Sequence, residues 1–109
     1  MLVGLAGCNS DVNLNLDDIE SITIIYSGHS KVYTTGTNEF ENTIQWLKAN
    51  TKGWKNYFAT APQSEILIRS KGFTLGINKD YAILNYHFDE QYQQIIKPIN
   101  ASAFDFVRN

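Results

Sequence analysis

Two histidines are the first residues of this chain that could carry acid–base chemistry. His87 lies two positions before Asp89, and an imidazole with a nearby carboxylate can serve as a general base or as a metal ligand. His29 lies in the segment Ser27-Gly28-His29-Ser30, where Gly28 favours a tight turn. The alternative interpretation makes His29 a surface turn residue and His87 a residue on a sheet face, and we favour that alternative.

A second candidate site is a group of large aromatic side chains with cations between them. The group consists of Trp46, Trp54, Tyr57 and Phe58, interleaved with Lys48, Lys52 and Lys55. Such rings and cations on a loop can form a recognition surface for a protein, a peptide or a glycan. Trp46 with Tyr57 could also line a ligand pocket. In the alternative that we favour, the rings cover the open end of a sheet, because a small domain must bury its large side chains wherever it can.

Several other kinds of chemistry lack the residues they need. Two His and one Cys are too few for the ligand sets of structural zinc sites. The segment around Ser27 lacks the glycines that flank a nucleophilic serine at a strand-to-helix turn, and no glycine-rich loop could hold a phosphate. Nine Lys and Arg against 11 Asp and Glu give a net charge of -2, which argues against nucleic-acid binding. We therefore expect no metal, no cofactor and no catalytic residue, and we predict that the chain is not an enzyme.

The most specific motif lies close to the N-terminus. Leu5-Ala6-Gly7-Cys8 places two small residues between a leucine and the single cysteine. This pattern resembles the lipobox of bacterial lipoproteins. The resemblance implies that the Cys8 thiol carries a diacylglyceryl group, that the chain is cleaved before Cys8, and that the new amino group is often acylated. Several acyl chains, at about 0.8 kcal/mol per buried methylene, hold a protein firmly on a bilayer.

The motif departs from the family pattern in one respect. Residues 1–7 carry no Lys or Arg, whereas a secretory signal begins with a positive region. We expect residues 1–8 to be the C-terminal part of a longer signal sequence, with Met1 internal to the reading frame. The alternative is a short apolar N-terminus with a buried or inert Cys8. In lipoproteins the residue after the modified cysteine helps to sort the protein, and Asn9 indicates the outer membrane, facing the periplasm.

The next ten residues differ in composition from the rest of the chain. Residues 9–18 are rich in Asn and Asp, and they predict a tether between the lipid anchor and a single domain of residues 19–109. The alternation of Val12, Leu14 and Leu16 would also suit a short edge strand.

The sequence of this domain predicts an α+β fold, with an antiparallel sheet of five to six strands and helices packed on one face. Residues with β-branched or aromatic side chains, separated by short turns, place the strands at 19–26, 31–35, 65–69, 73–77, 81–88 and 92–99. The segment 89–97 could instead be helical. The order is β-β-α-β-β-β-β-α.

Two helices complete the predicted fold. Asn38 and Glu41 have the spacing of a capping box, so the first helix should begin at Asn38 and run to about residue 50. Its inward stripe consists of Phe40, Ile44 and Leu47. A short final helix should follow a cap at Asn100, with inward residues Ala103, Phe104 and Val107.

These observations favour a small, non-catalytic envelope lipoprotein that binds an envelope protein through a sheet face or the Trp54 loop. Small lipid-anchored domains of this kind include inhibitors and immunity proteins, so such a role is compatible with the resemblance. The alternative is a small periplasmic hydrolase or ligand carrier that uses His87 with Asp89, or Trp46 with Tyr57.

Overall fold

A computed structural model of the chain describes residues 12–108, so Cys8 and the lipobox lie outside the described residues. Seven strands and two helices follow one another along these described residues. They are β1 (Ser21–Tyr26), β2 (His29–Thr34), α1 (Asn38–Ala49), β3 (Lys55–Asn56), β4 (Ile66–Arg69), β5 (Phe73–Ile77), β6 (Tyr81–Phe88), β7 (Gln91–Pro98) and α2 (Asp105–Arg108). Two short 3-10 turns, Leu16–Asp18 and Ala101–Phe104, precede β1 and α2.

All strands belong to one antiparallel sheet with the order β2-β1-β4-β5-β6-β7-β3. The α+β class and the antiparallel sheet are confirmed. The predicted count of five to six strands is wrong, because Lys55 and Asn56 form a seventh strand against β7. Two residues are too few to show an alternation of apolar and polar side chains. Segment 89–97 is a turn followed by strand, so the helical alternative is wrong.

The hydrophobic core lies on one face of this sheet, here called the core face. In β1, Ile22 and Ile24 are buried, whereas Thr23 and Ile25 point to the opposite face, here called the outer face. The strand register carries this alternation across the sheet. The buried core-face residues are Ile22, Ile24, Ile66, Ile68, Phe73, Leu75, Ile77, Ala82, Leu84, Tyr86 and Ile95.

Helix α1 contributes its predicted stripe to this core. Phe40, Ile44 and Leu47 are all buried, as the sequence predicted. The predicted cap at Asn38 is wrong by one residue. Thr37 is the N-cap, and its hydroxyl accepts a hydrogen bond from the Phe40 amide at 3.3 Å. Glu41 still reaches back over the helix start, but its carboxylate accepts from the Gly36 amide at 2.9 Å.

The C-terminal segment closes one end of the core. The Asn100 side chain accepts from the Ser102 amide at 3.0 Å, which confirms the predicted cap. It caps a 3-10 turn that leads into the short helix α2. Phe104 is buried, and Ala103 and Val107 pack against the same core, as predicted.

Residues 12–18, which the sequence assigns to a tether, contact the domain in this structure. The Val12 amide donates to the Thr51 carbonyl at 2.9 Å, and the Asn13 amide donates to the Tyr86 hydroxyl at 3.4 Å. Val12, Leu14 and Leu16 are partly buried against the core. The segment forms a 3-10 turn at Leu16–Asp18 and, within the described part, no edge strand.

Candidate functional site

The four aromatic residues singled out in the sequence are divided between the core and the surface. Trp54 is completely buried, and its indole N–H donates to the Asn50 carbonyl at 2.6 Å. The ring of Trp46 is partly buried and packs edge-on against Trp54, with 6.0 Å between centroids, and against Phe104 at 5.2 Å. The two tryptophans therefore fill the end of the core beside α1, as the structural alternative expected.

Tyr57 and Phe58 lie outside this cluster, next to β7. The Tyr57 amide donates to the Gln94 carbonyl at 2.9 Å, which extends the short β3–β7 pairing. Phe58 is 92% exposed. A cavity of about 410 Å³ is lined by Tyr57 and Phe58 together with Tyr92, and Trp46 is not part of its lining. The structure thus does not bring Trp46 and Tyr57 together.

The histidines are both exposed. His87 lies on β6, and its ring packs against Tyr92 on β7, with 5.4 Å between centroids. Asp89 lies in the turn after β6, where its φ is 55°. His29 begins β2 and pairs with Tyr26 across the hairpin. Among residues 12–108, no three His, Cys, Asp or Glu side chains are grouped as metal ligands.

A feature that the sequence analysis missed is the segment 57–65, here called the strap. It leaves β3 at one edge of the sheet and enters β4, which lies between β1 and β5. It therefore crosses β7, β6 and β5, a path of about 19 Å at about 4.8 Å per strand. The Gln94 side chain, on the outer face, donates to the carbonyls of Tyr57 at 3.0 Å and Ala59 at 2.8 Å. The crossing thus takes place on the outer face.

Gly76 permits the strap to lie close to the sheet at its far end. A Cβ atom at this position would collide with the Ser64 hydroxyl, so Ser64 passes directly over Gly76. Under the strap, Ile83 is only 2% exposed although it belongs to the outer face. The strap therefore covers one part of an apolar row that runs across the outer face. The row consists of Ile25, Leu67, Ile83 and Ile96, with Gly76 between Leu67 and Ile83.

The uncovered part of this row forms the floor of a groove, here called the outer-face groove. It has a volume of about 360 Å³ and lies between the strap and the β1–β2 turn. Its floor includes Ile25 and Leu67, and its strap wall includes Pro62 and Gln63. No single segment of the sequence contains these residues, and the sequence analysis did not predict the groove.

One ion pair fixes the end of the strap. Arg108 on α2 binds both carboxylate oxygens of Glu65, through Nη2 at 2.8 Å and Nε at 2.9 Å. These hydrogen bonds hold the pKa of Glu65 below its usual range and raise the pKa of Arg108, whose Nη1 also contacts Asp105 at 3.1 Å. The bidentate geometry joins the C-terminal helix to the start of β4.

Comparison with protein-family models, with curated proteins and with solved structures finds no match for this chain. No helix in the described part of the chain is long and apolar enough to cross a bilayer.

Proposed function

We propose that this chain is a small lipoprotein of the bacterial envelope that binds a protein partner through the outer-face groove. Cys8 would carry the lipid anchor, and Asn9 favours the outer membrane as its location. An inhibitor or immunity-like role is one form that such binding could take. The observation that carries the proposal is the groove itself, an apolar depression on a sheet face that neither α1 nor α2 covers.

The chemistry of the groove supports a role in protein binding. Ile25 and Leu67 are half-buried in its floor, so a partner side chain inserted between them would bury further apolar area. Burying one such side chain completely contributes roughly 1.5–3 kcal/mol. Among the described residues that line the groove, Glu65 is the one carboxylate, and Arg108 already binds it. The lining therefore offers apolar contact area more than reactive groups.

The proposal can be tested by photocrosslinking in the native host. A benzophenone amino acid at Gln63, an exposed residue of the groove wall, should give one discrete adduct with an envelope protein. The same amino acid at Lys79, an exposed residue of the β5–β6 turn, is the matched control and should give none. Equal adducts from both positions, or none from Gln63, would contradict the proposal.

A second variant shows whether the groove floor contributes to binding. Leu67→Lys, combined with the benzophenone amino acid at position 63, places a charge on the groove floor. We expect the crosslinked adduct to disappear while the midpoint of thermal unfolding changes little. An adduct that persists at full yield would mean that the partner binds elsewhere on the surface.

A further inference from the structure

A second part of the outer face has a different chemistry from the groove. The exposed large apolar side chains of the described residues are Val32, Phe58, Phe88 and Tyr92. Phe88 and Tyr92 both belong to the β6–β7 hairpin, but the register places Phe88 on the core face and Tyr92 on the outer face, whereas Phe58 lines the same cavity as Tyr92. Phe58 and Tyr92 therefore present two exposed aromatic side chains at one cavity.

Tyr92 is held in position by its neighbours. Its hydroxyl donates to the Asn85 side-chain oxygen at 2.6 Å, across the β6–β7 pair. The His87 ring packs against it at an interplanar angle of 62°. A ring that is 60% exposed and yet fixed at both its hydroxyl and its flank offers a preorganised stacking surface.

Tyr92 also separates two concave surfaces. On the strap side lies the cavity of about 410 Å³, which Tyr92 shares with Phe58, Gln91 and Gln93. Tyr92 also borders a second cavity of about 330 Å³, whose lining includes Lys71, Thr74 and Asn85. Because one ring borders both cavities, a ligand longer than a single unit can lie across it.

The strap-side cavity is uncharged. The described residues of its lining are amides and aromatics, namely Asn56, Tyr57, Phe58, Gln91, Tyr92, Gln93 and Gln94. A ligand that depends on ionic contacts would find no opposite charge in this lining. Amide side chains both donate and accept hydrogen bonds, which suits a ligand with many neutral polar groups.

The hydrogen bonds already made in this cavity narrow the choice of ligand. The Tyr92 hydroxyl hydrogen is used by Asn85, and the Gln94 amide donates to the carbonyls of Tyr57 and Ala59. The groups that remain on these two side chains are oxygen acceptors. A matching ligand therefore brings hydrogen-bond donors together with apolar faces that stack on rings. Sugars carry both, whereas a proline-rich peptide carries mainly carbonyl acceptors.

We propose that Tyr92 and Phe58 form the stacking surface of a binding site for a neutral oligosaccharide. The sugar rings stack on these two side chains, and their hydroxyl groups donate to the amide oxygen of Gln94 and to the Tyr92 oxygen, both on the outer face. The stacking residues Tyr92 and Phe58 do not line the outer-face groove, although Thr74 and Asn85 line both the groove and the second cavity. The sugar site goes beyond the proposed binding of a protein partner.

The test is a titration of the isotope-labelled chain, followed by NMR, with neutral oligosaccharides. The probes are β-1,4-linked oligomers of glucose and of N-acetylglucosamine, with sulfated forms of the same oligomers and a proline-rich peptide for comparison. We expect at least one neutral oligomer to bind at millimolar concentration or below and to shift the amide resonances of Phe58, Gln91, Tyr92 and Gln93. No shift with any neutral oligomer, or a stronger response to the sulfated forms or to the peptide, overturns the proposal.

Variants separate a stacking role from a structural one. Phe58→Ala removes a side chain that is almost fully exposed, so the fold should persist while the dissociation constant rises about tenfold. Tyr92→Ala should raise the dissociation constant at least as much. Tyr92→Phe keeps the ring and should raise it less. Val32→Ala is the matched control at the other edge of the sheet and should leave binding unchanged. Equal losses in Phe58→Ala and Val32→Ala contradict the proposal.

The two proposals can fail separately. Phe58→Ala should leave the photocrosslink from Gln63 intact, and Leu67→Lys should leave the oligosaccharide titration intact. A variant that abolishes both readouts together, with an unchanged thermal midpoint, would mean that the two surfaces form a single site and would overturn the assignment of a separate sugar site.

Discussion

At the scale of single residues, Gly76 determines how closely the strap approaches the sheet. The position lies between Leu67 and Ile83 in the apolar row of the outer face, where any side chain would fill the space that Ser64 occupies. The absence of a side chain therefore positions the strap, and through it the wall of the outer-face groove. Glycine within a strand often marks such a close approach of another part of the backbone.

Replacement of this glycine should displace the strap. Gly76→Val adds three carbon atoms against Ser64, and the overpacking should lower the free energy of unfolding by about 1–3 kcal/mol. Urea unfolding measures this change, and the Gly76→Val chain should also lose the photocrosslink from Gln63. Gly72→Ala is the matched control, because a Cβ at Gly72 meets no atom within 4 Å. An unchanged free energy of unfolding in Gly76→Val would mean that Ser64 moves aside without a loss of stability.

The ion pair between Glu65 and Arg108 should make stability depend on pH. Arg108 lowers the pKa of Glu65 in the folded state, so the pair stabilises the fold above the ordinary glutamate pKa. This contribution declines as the pH falls through the lowered pKa. Because the Glu65 side chain is 40% exposed, solvent screens the pair, and its contribution is at most about 1 kcal/mol.

Urea unfolding of Glu65→Gln should therefore show a loss of stability at pH 7 that disappears at a pH below the lowered pKa of Glu65. The matched control is Asp17→Asn, which removes an exposed ion pair with Lys48 at 3.6 Å and should change stability little at either pH. A loss in Glu65→Gln that is independent of pH would contradict an ionic origin.

At the scale of elements, the β6–β7 hairpin contains local backbone strain. Phe88 pairs with Gln91, so Asp89 and Glu90 are the two turn residues, and their φ values are 55° and 65°. Two-residue turns with positive φ at both positions favour Asn followed by Gly. The left-handed conformation costs a residue with a Cβ roughly 1–2 kcal/mol. This hairpin also carries Tyr92, so the strain lies next to the proposed sugar site.

Relief of this strain should stabilise the domain. We expect the double variant Asp89→Asn with Glu90→Gly to raise the free energy of unfolding by about 1 kcal/mol. The β1–β2 hairpin provides the opposite control, because Gly28 already occupies a turn position with a φ of 78°. Gly28→Ala should destabilise the chain by a similar amount. Both changes can be measured by thermal unfolding, and a destabilised double variant would contradict the assigned turn.

The elements that the sequence predicted correctly are those with a local pattern. In the predicted strand 73–77, Phe73, Leu75 and Ile77 alternate with other residues, and all three are buried on one face. In α1 the spacing of Phe40, Ile44 and Leu47 is that of one helix face, and the structure follows it. The N-cap is Thr37 and not Asn38, because both residues can cap and the choice depends on the chain path before them. β3 has two residues and depends on its pairing with β7, so its own sequence does not reveal it.

The surface features were harder to predict because they depend on contacts between distant parts of the chain. The aromatic residues from Trp46 to Phe58 are close in sequence. The two tryptophans nevertheless pack at the end of the core, while Phe58 faces solvent. The strap contacts Gly76 only because β4 is placed between β1 and β5. The pairing of Tyr92 with Asn85 and His87 likewise follows from the β6–β7 register. Sequence periodicity contains no information on these placements.

At the scale of the whole molecule, the lipid anchor proposed at Cys8 is the feature that decides where the domain works. Cys8→Ser in the full reading frame of the native host should move the protein from the membrane fraction to the aqueous fraction, because the serine cannot form the thioether. Cell fractionation and mass spectrometry of the mature chain measure the outcome. Ser10→Ala is the matched control and should leave the distribution unchanged. A Cys8→Ser protein that remains in the membrane fraction would contradict the anchor.

The hydrogen bond from Val12 to Thr51 has a consequence for how an anchored domain would be oriented. It fixes the chain to the domain only four residues after Cys8, so the segment between the lipid anchor and the domain is at most about 14 Å long. Val12 packs against the core, on the side of the sheet that carries α1. A domain attached by so short a segment would lie with its α1 side toward the lipid headgroups. The strap and Tyr92 would then face away from the membrane and be accessible to diffusing molecules.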